Sequence, residues 1–284
     1  MSIQIVTDST CDLPQKLIEE YNIHVIPLNI HFAEKVYKDG IDLTTENFYQ
    51  LLESSDQHPT TSQPSPGEFM KLYKKVASSG DDIISIHISS ELSGTYQSAV
   101  LATNMISESE DDINIHTVDS RITSTSLGML VLEAAKMANK DEDINSILKK
   151  LDKLKNKIKT YFMVDTLEYL EKGGRIGKAQ ALVGSLLNVK PILTLEEGIV
   201  VPLKKVRGRK KGLNYIIELI EKEFKDEKVN IAIMHANTPD ETEKLVKSVK
   251  EKINYNEKIV SELGTIVGTH AGPGTIGIVI YLAE

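Results

Sequence analysis

Residues 83–99 (Ile83-Ile84-Ser85-Ile86-His87-Ile88-Ser89-Ser90-Glu91-Leu92-Ser93-Gly94-Thr95-Tyr96-Gln97-Ser98-Ala99) read as an apolar strand that runs into a hydroxyl-rich turn and then opens a helix. The unit recurs. Residues 3–6 lead into Thr7-Asp8-Ser9-Thr10 and a helix for which Asp12 and Gln15 have capping-box spacing, and residues 113–118 end in Asp119-Ser120 ahead of an apolar helix over 127–138. Strands alternating with helices in this way predict a largely parallel sheet flanked by helices on both faces. In such sheets ligands sit at the carboxyl ends of the strands, the edge where residues 7–10, 89–94 and 119–120 all fall. Ser93 reads as the N-cap of its helix, and Gly94, without a Cβ, lets a ligand come close to the backbone. A helix start of this kind offers amides, hydroxyls and the positive end of a dipole to one carboxylate or phosphate group.

Between these units the chain carries a second apolar strand over 23–32, a turn at Asp39-Gly40, and a helix beginning near Thr45. The segment Pro59-Thr60-Thr61-Ser62-Gln63-Pro64-Ser65-Pro66-Gly67-Glu68 places Thr61 and Ser62 just ahead of a helix, with Ser65 and Glu68 at capping-box spacing and Pro66 at its first position. A lysine-rich amphipathic helix over 144–158 closes this half. Alternation restarts at Tyr161, so two units are expected, 1–160 and 161–284, both α/β, the second smaller and carrying an antiparallel hairpin. That hairpin is signalled by Glu196-Glu197-Gly198 between apolar runs at 191–195 and 199–203. The second unit is expected to hold a short helix over 167–172 stopped by Gly173-Gly174, an apolar helix over 179–187, helices over 213–224 and 239–253, and strands at 229–235, 259–260 and 276–282. A glycine-rich loop, residues 264–275, carries His270.

The net charge of −8 excludes general nucleic-acid binding, and 5% aromatic residues with no tryptophan exclude a base-stacking platform. Cys11 is the single cysteine, so no internal disulfide forms, and it reads as a small buried apolar group. No cluster has metal-ligand spacing, and no Walker or kinase signature is present. No apolar run approaches the roughly 20 residues that span a bilayer and no basic-then-apolar leader opens the chain, which points to a cytoplasmic protein. The run Lys204-Lys205-Val206-Arg207-Gly208-Arg209-Lys210-Lys211 has six positive charges in eight residues. It reads either as a solvated strand-to-helix connection or as a contact for phosphate, an anionic lipid surface or an acidic partner, with Arg175 able to join it. Ser93, Asp119 and His270 follow the chain order of the α/β-hydrolases, so a serine esterase stands as the alternative function. The glycine that a nucleophile elbow places two residues before the serine is Glu91 here.

Taken together, Thr7-Asp8-Ser9-Thr10, Thr61-Ser62-Gln63-Pro64-Ser65, residues 89–99, Val118-Asp119-Ser120, residues 167–176 and Gly272-Pro273-Gly274 resemble the DegV family of bacterial fatty-acid-binding proteins over nearly the whole chain. The resemblance implies two α/β domains with an acyl chain buried between or beside them. It assigns the carboxylate site to Thr61, Ser62, Ser93, Gly94 and His270, with no catalytic residue, metal or cofactor of the chain's own. It further implies a long-chain fatty acid such as palmitate as ligand and a separate fatty acid kinase as partner, with Arg175, Arg207 and Arg209 as contacts for that kinase, a phosphate or the membrane. The physics is consistent with such a ligand, because about 0.8 kcal/mol per buried methylene gives a sixteen-carbon chain on the order of 10 kcal/mol before the costs of binding.

Overall fold

In the computed structural model, which describes residues 2–77, 80–108, 113–184, 189–225 and 227–283, the strand-turn-helix units build the expected parallel sheet. In chain order the first half holds β1 (Ile3–Asp8), a 3-10 turn (Ser9–Cys11), α1 (Gln15–Glu20), β2 (His24–Ile26), β3 (Asn29–Phe32), β4 (Lys35–Lys38), α2 (Thr45–Ser54), β5 (Thr60–Ser62) and α3 (Pro66–Val76). It continues through β6 (Asp82–His87), α4 (Thr95–Ser107), β7 (Asn114–Asp119), α5 (Ser124–Ala138) and α6 (Ile144–Lys155). Strands β2-β1-β6-β7 form the parallel sheet, and β4-β3-β5 a small antiparallel one beside it.

The second half begins with β8 (Lys159–Met163) and α7 (Glu168–Lys172), followed by a 3-10 segment (Gly177–Leu182) and the hairpin β9 (Lys190–Glu196) and β10 (Ile199–Val206). Then come α8 (Arg209–Phe224), β11 (Val229–His235), α9 (Pro239–Lys252), β12 (Tyr255–Glu262), α10 (Thr265–Ala271) and β13 (Ile276–Leu282). These strands make one six-stranded sheet in the order β10-β9-β8-β13-β11-β12, antiparallel except between β11 and β12.

The two large sheets sandwich α5, which packs on β1 and β6 on one side and on β11 on the other. A helix enclosed in this way must be apolar all round, and Leu127, Met129, Leu130, Val131, Leu132, Ala134 and Ala135 are all buried. Helices α3 and α4 cover the outer face of the parallel sheet through Phe69, Tyr73, Ala99, Ala102 and Ile106, and α8 and α9 cover the outer face of the other through Ile216, Ile220, Leu245 and Val249. Cys11 is buried against α5, and burial pushes its thiol well above its ordinary range, as the sequence reading of a small apolar group requires.

Several local expectations are corrected. The run 23–32 is two strands of different sheets, because Pro27 has no amide to give to a ladder and Leu28 N–H goes instead to Ser9 Oγ at 3.1 Å. Strand 259–260 lies within the eight-residue β12, an edge strand whose polar residues alternate outward. Of the basic run, only Arg207 and Gly208 connect elements, since Lys204, Lys205 and Val206 belong to β10 and α8 starts at Arg209. The apolar helix expected over 179–187 is a 3-10 segment ending at Leu182, and positions 185–187 lie outside the described residues. The capping box of Ser65 and Glu68 forms as read, with Lys38 pulling the Glu68 carboxyl down to about 2. Asp12 does not cap α1. Its backbone turns left-handed at φ 47 and buries the carboxyl toward distant partners.

Candidate functional site

Strand β1 ends on a buried carboxylate that aligns the site's main loop. Asp8 accepts from Thr10 N–H and Thr10 hydroxyl on one oxygen, and from Ile88 N–H and His87 Nδ1, both at 3.0 Å, on the other. The ends of β1 and β6 are thereby locked together. On the other side Asp119, at the end of β7, accepts from Ser90 N–H and from its hydroxyl at 2.6 Å. Ser89 donates to Gly198 O in the β9–β10 turn at 2.9 Å, which ties the loop to the second sheet. Fixed at three points, the 89–94 loop delivers Ser93 just before α4. The N-cap is Gly94, not Ser93, because the chain reaches helical geometry one residue later than the sequence suggests. Ser93 Oγ still accepts from Thr95 N–H at 3.3 Å and lies 2.9 Å from Thr95 Oγ1.

Opposite this loop, Thr61 on β5 pairs its hydroxyl with His270 Nε2 at 2.9 Å. His270 sits on α10; the expected glycine-rich loop is helical from Thr265 to Ala271, which corrects that reading. Burial, helped by the nearby Arg175 charge and by His58, lowers the His270 pKa to about 4, so the ring is neutral at pH 7. Its Nδ1 has no hydrogen-bond partner among the described residues. The ring lies directly on Gly173, where a Cβ would overlap Nδ1, so this glycine, read from sequence only as a helix stop, makes room for the histidine. Arg175 donates from Nε to Leu92 O at 3.0 Å and from Nη1 to Gly173 O at 2.6 Å, which joins the α7 end to the Ser93 loop.

Thr61, Ser93, Arg175 and His270 border one narrow cavity, which leaves about 90 Å³ for the centre of a water molecule. Most of its wall is apolar: Ile88 and Leu92 before α4, Phe162 on β8, Leu195 and Val200 on the hairpin, Met234 on β11 and Ile266 on α10. It runs through the same interior as α5, between the two large sheets.

The remaining sequence candidates are placed differently. Ser62 alternates to the far face of β5, where its hydroxyl meets His31 Nε2 at 2.8 Å and Asn29 at 3.3 Å, and it does not border the cavity. Gly94 lies under the Gln63 side chain, where a Cβ would come within 2.9 Å of Nε2; the 61–65 motif thus packs on the Ser93 loop through a residue that the sequence reading passed over. Arg207 is exposed. Arg209 is engaged by Glu241, by Asp165 at 3.2 Å and by Gly274 O at 2.7 Å, and it pins the start of α8 to α9 and to the 272–275 turn. The esterase order is not assembled into a relay: His270 pairs with Thr61, Asp119 with Ser90 and Arg121, and Ser93 with Thr95.

Two carboxylates that the sequence suggested only as a helix cap and a turn residue, Asp12 and Asp39, hold the other end of α10. Asp12 accepts from Gly264 N–H at 2.9 Å and from Ser124 hydroxyl at 2.6 Å, and Asp39 accepts from Thr265 hydroxyl at 2.8 Å. Burial dominates both and raises their pKa values, Asp12 to about 8. Among the described residues no group of three or more His, Cys, Asp or Glu side chains is placed to hold a metal, and no helix is long and apolar enough to cross a membrane.

Comparison with known proteins agrees with this architecture. The model of the family described as "Uncharacterised protein, DegV family" matches residues 2–283. Protein DegV of Bacillus subtilis (strain 168) is 40% identical over 283 residues, 98% of each chain. A fatty acid binding DegV family protein from Thermus thermophilus superposes with a TM-score of 0.93 at 35% identity, all of both chains covered. A stearic acid-binding protein from Eubacterium ventriosum ATCC 27560 superposes with a TM-score of 0.91 at 26% identity, with 99% of this chain and 98% of that one covered.

Proposed function

Since this chain belongs to the DegV family, we propose that it binds a long-chain fatty acid, palmitate or a chain of similar length, with the carboxylate between Thr61 and Ser93 and the tail in the apolar cavity. The observation that carries the reading is that the Thr61 and Ser93 hydroxyls, the His270 imidazole and the Arg175 guanidinium all border one cavity whose wall is mostly apolar. A carboxylate leaving water needs such donors, and hydrogen bonds to a charged group are the stronger kind.

Neutral His270 fits this task. With its proton on Nε2 it donates to Thr61 Oγ1, which frees the Thr61 hydroxyl to donate to the carboxylate. Ser93 supplies a second hydroxyl and Arg175 a positive charge held by two carbonyls. Nothing in this arrangement attacks the ligand; the groups orient it. The acyl chain supplies the affinity, on the order of 10 kcal/mol for sixteen carbons before binding costs.

A bound acid held this way is suited to be presented in the cytoplasm to a separate fatty acid kinase, which phosphorylates the carboxylate for phospholipid synthesis. Exposed Arg207 and its lysine neighbours would meet that partner or an anionic membrane surface. Native mass spectrometry of gently purified protein tests the ligand. The expected result is an adduct with the mass of a common long-chain fatty acid that is lost on denaturation, and a clean apo mass would overturn the reading. Incubation with a purified fatty acid kinase and ATP is expected to yield acyl phosphate only when this protein is present.

A further inference from the structure

We propose that the cavity holds a second polar position partway along the acyl chain, formed by Thr160 of β8 together with Thr123 and Ser124 at the start of α5, and that it selects fatty acids bearing a neutral hydroxyl on the hydrocarbon. The proposal rests on the fatty-acid reading above.

Thr160 borders the cavity on the same strand face as Phe162, is 3% exposed, and its hydroxyl has no hydrogen-bond partner among the described residues. A buried hydroxyl left unpaired is an uncorrected loss, and a saturated chain alongside it leaves the loss in place. Its position is fixed by register. Thr160 stands opposite Val279 and Phe162 opposite Gly277, whereas α10 joins the sheet at Thr275, whose hydroxyl holds Ala271 O at 2.9 Å. Thr160 is thus four residues down β13 from that junction, roughly 13 Å along the strand. It therefore meets the hydrocarbon and not the head group.

Thr123, which also borders the cavity, is the N-cap of α5 but makes no side-chain cap bond. Ser124, held at φ 57, donates its hydroxyl proton to Asp12 and keeps lone pairs free to accept. A ligand hydroxyl can donate to Ser124 or Thr123 and accept from Thr160. A second carboxylate is disfavoured, because burying a charge beside neutral hydroxyls costs far more than burying a neutral hydroxyl group there. The class that fits is a mid-chain hydroxy fatty acid.

The test is displacement of dansyl-undecanoate by stearate and by a positional series of hydroxystearates, on wild type, Thr160→Val and Thr160→Ser, with the fold of each variant checked by thermal unfolding. At least one positional isomer is expected to bind about fivefold more tightly than stearate to wild type, a preference that Thr160→Val removes and Thr160→Ser retains, while stearate affinity stays within about twofold. The proposal is overturned if every hydroxystearate binds more weakly than stearate to wild type, a result that needs no variant, or if Thr160→Val leaves the ratio unchanged. If neither stearate nor any hydroxystearate displaces the probe and no fatty acid copurifies, the fatty-acid reading itself fails, and this proposal with it.

Discussion

Thr61, Ser93 and His270 are far apart in sequence, and it is the family resemblance that joins them, since by residue type alone they read as a hydroxyl ahead of a helix, a helix cap and a histidine among glycines. The structure brings all three to one cavity. Their spatial partners left no such signal, because Gln63 over Gly94 and Gly173 under His270 are contacts between elements that share no local pattern. On the proposed reading, replacing Thr61 by Val and Ser93 by Ala removes two hydrogen bonds to the ligand carboxylate. Each is expected to weaken fatty-acid binding roughly 10- to 100-fold with little change in melting temperature, as read by fluorescent displacement beside thermal unfolding. Gly173→Ala separates fit from backbone freedom. The φ of −76° at Gly173 suits alanine, so the damage comes mainly from the new methyl striking the imidazole, with a lesser squeeze against Tyr169 O at 3.0 Å. The substitution is expected to destabilise wild type by about 1–3 kcal/mol and to be much milder on a His270→Ala background, which a four-protein unfolding cycle measures.

At the scale of elements, α10 is the instructive case. Seven residues containing a glycine, between flanking glycines, have little intrinsic helicity, and the sequence reading as a loop follows from propensity alone. The helix forms because tertiary groups supply what its length cannot: Asp12 and Asp39 cap its start, Tyr49 hydroxyl holds Leu263 O at 3.0 Å, and Gly268 lets Tyr49 and Phe48 close against it. The caps carry a pH signature. Asp12 moves on folding from an ordinary 3.8 to about 8, so the folded state binds this proton more tightly than the unfolded chain does. Its contribution is therefore complete below pH 4 and declines as pH rises toward 8, by up to about 1.4 kcal/mol per unit. Asp12→Asn keeps an acceptor for Gly264 N–H and removes the titration. Wild type is expected to lose more melting temperature between pH 6 and pH 8 than Asp12→Asn, which of the two caps keeps only the titration of Asp39; parallel curves would show that Asp12 is not the group responsible.

For the whole molecule, alternation of strand and helix was enough to anticipate the parallel sheet, although its central pair joins Ile3 to Asp82 across the whole of β2 to β5. The six-stranded sheet was not legible beyond its hairpin, since its centre is β13, the last strand, inserted between β8 and β11 by pairings more than a hundred residues long for β8. That late insertion also encloses the cavity, because α10 and β13 arrive together and carry His270 and Thr275 to its wall. A ligand seated there touches α10, β8, β11, the hairpin and the 89–94 loop at once, so it joins both sheets across the interior that α5 shares. Binding to the folded form alone stabilises by RT ln(1 + [L]/Kd), about 2.7 kcal/mol when the free acid is at 100 times Kd. For a chain of this size about 1 kcal/mol corresponds to some 2–4 °C. Stripping bound lipid by hydrophobic chromatography is accordingly expected to lower the melting temperature by roughly 5–10 °C. Re-adding palmitate should restore it in wild type, and should restore much less in the Thr61→Val, Ser93→Ala double variant, where the tail still fits but the head group has lost its donors. Equal restoration in both proteins would mean that the tail alone holds the ligand and that the carboxylate lies elsewhere.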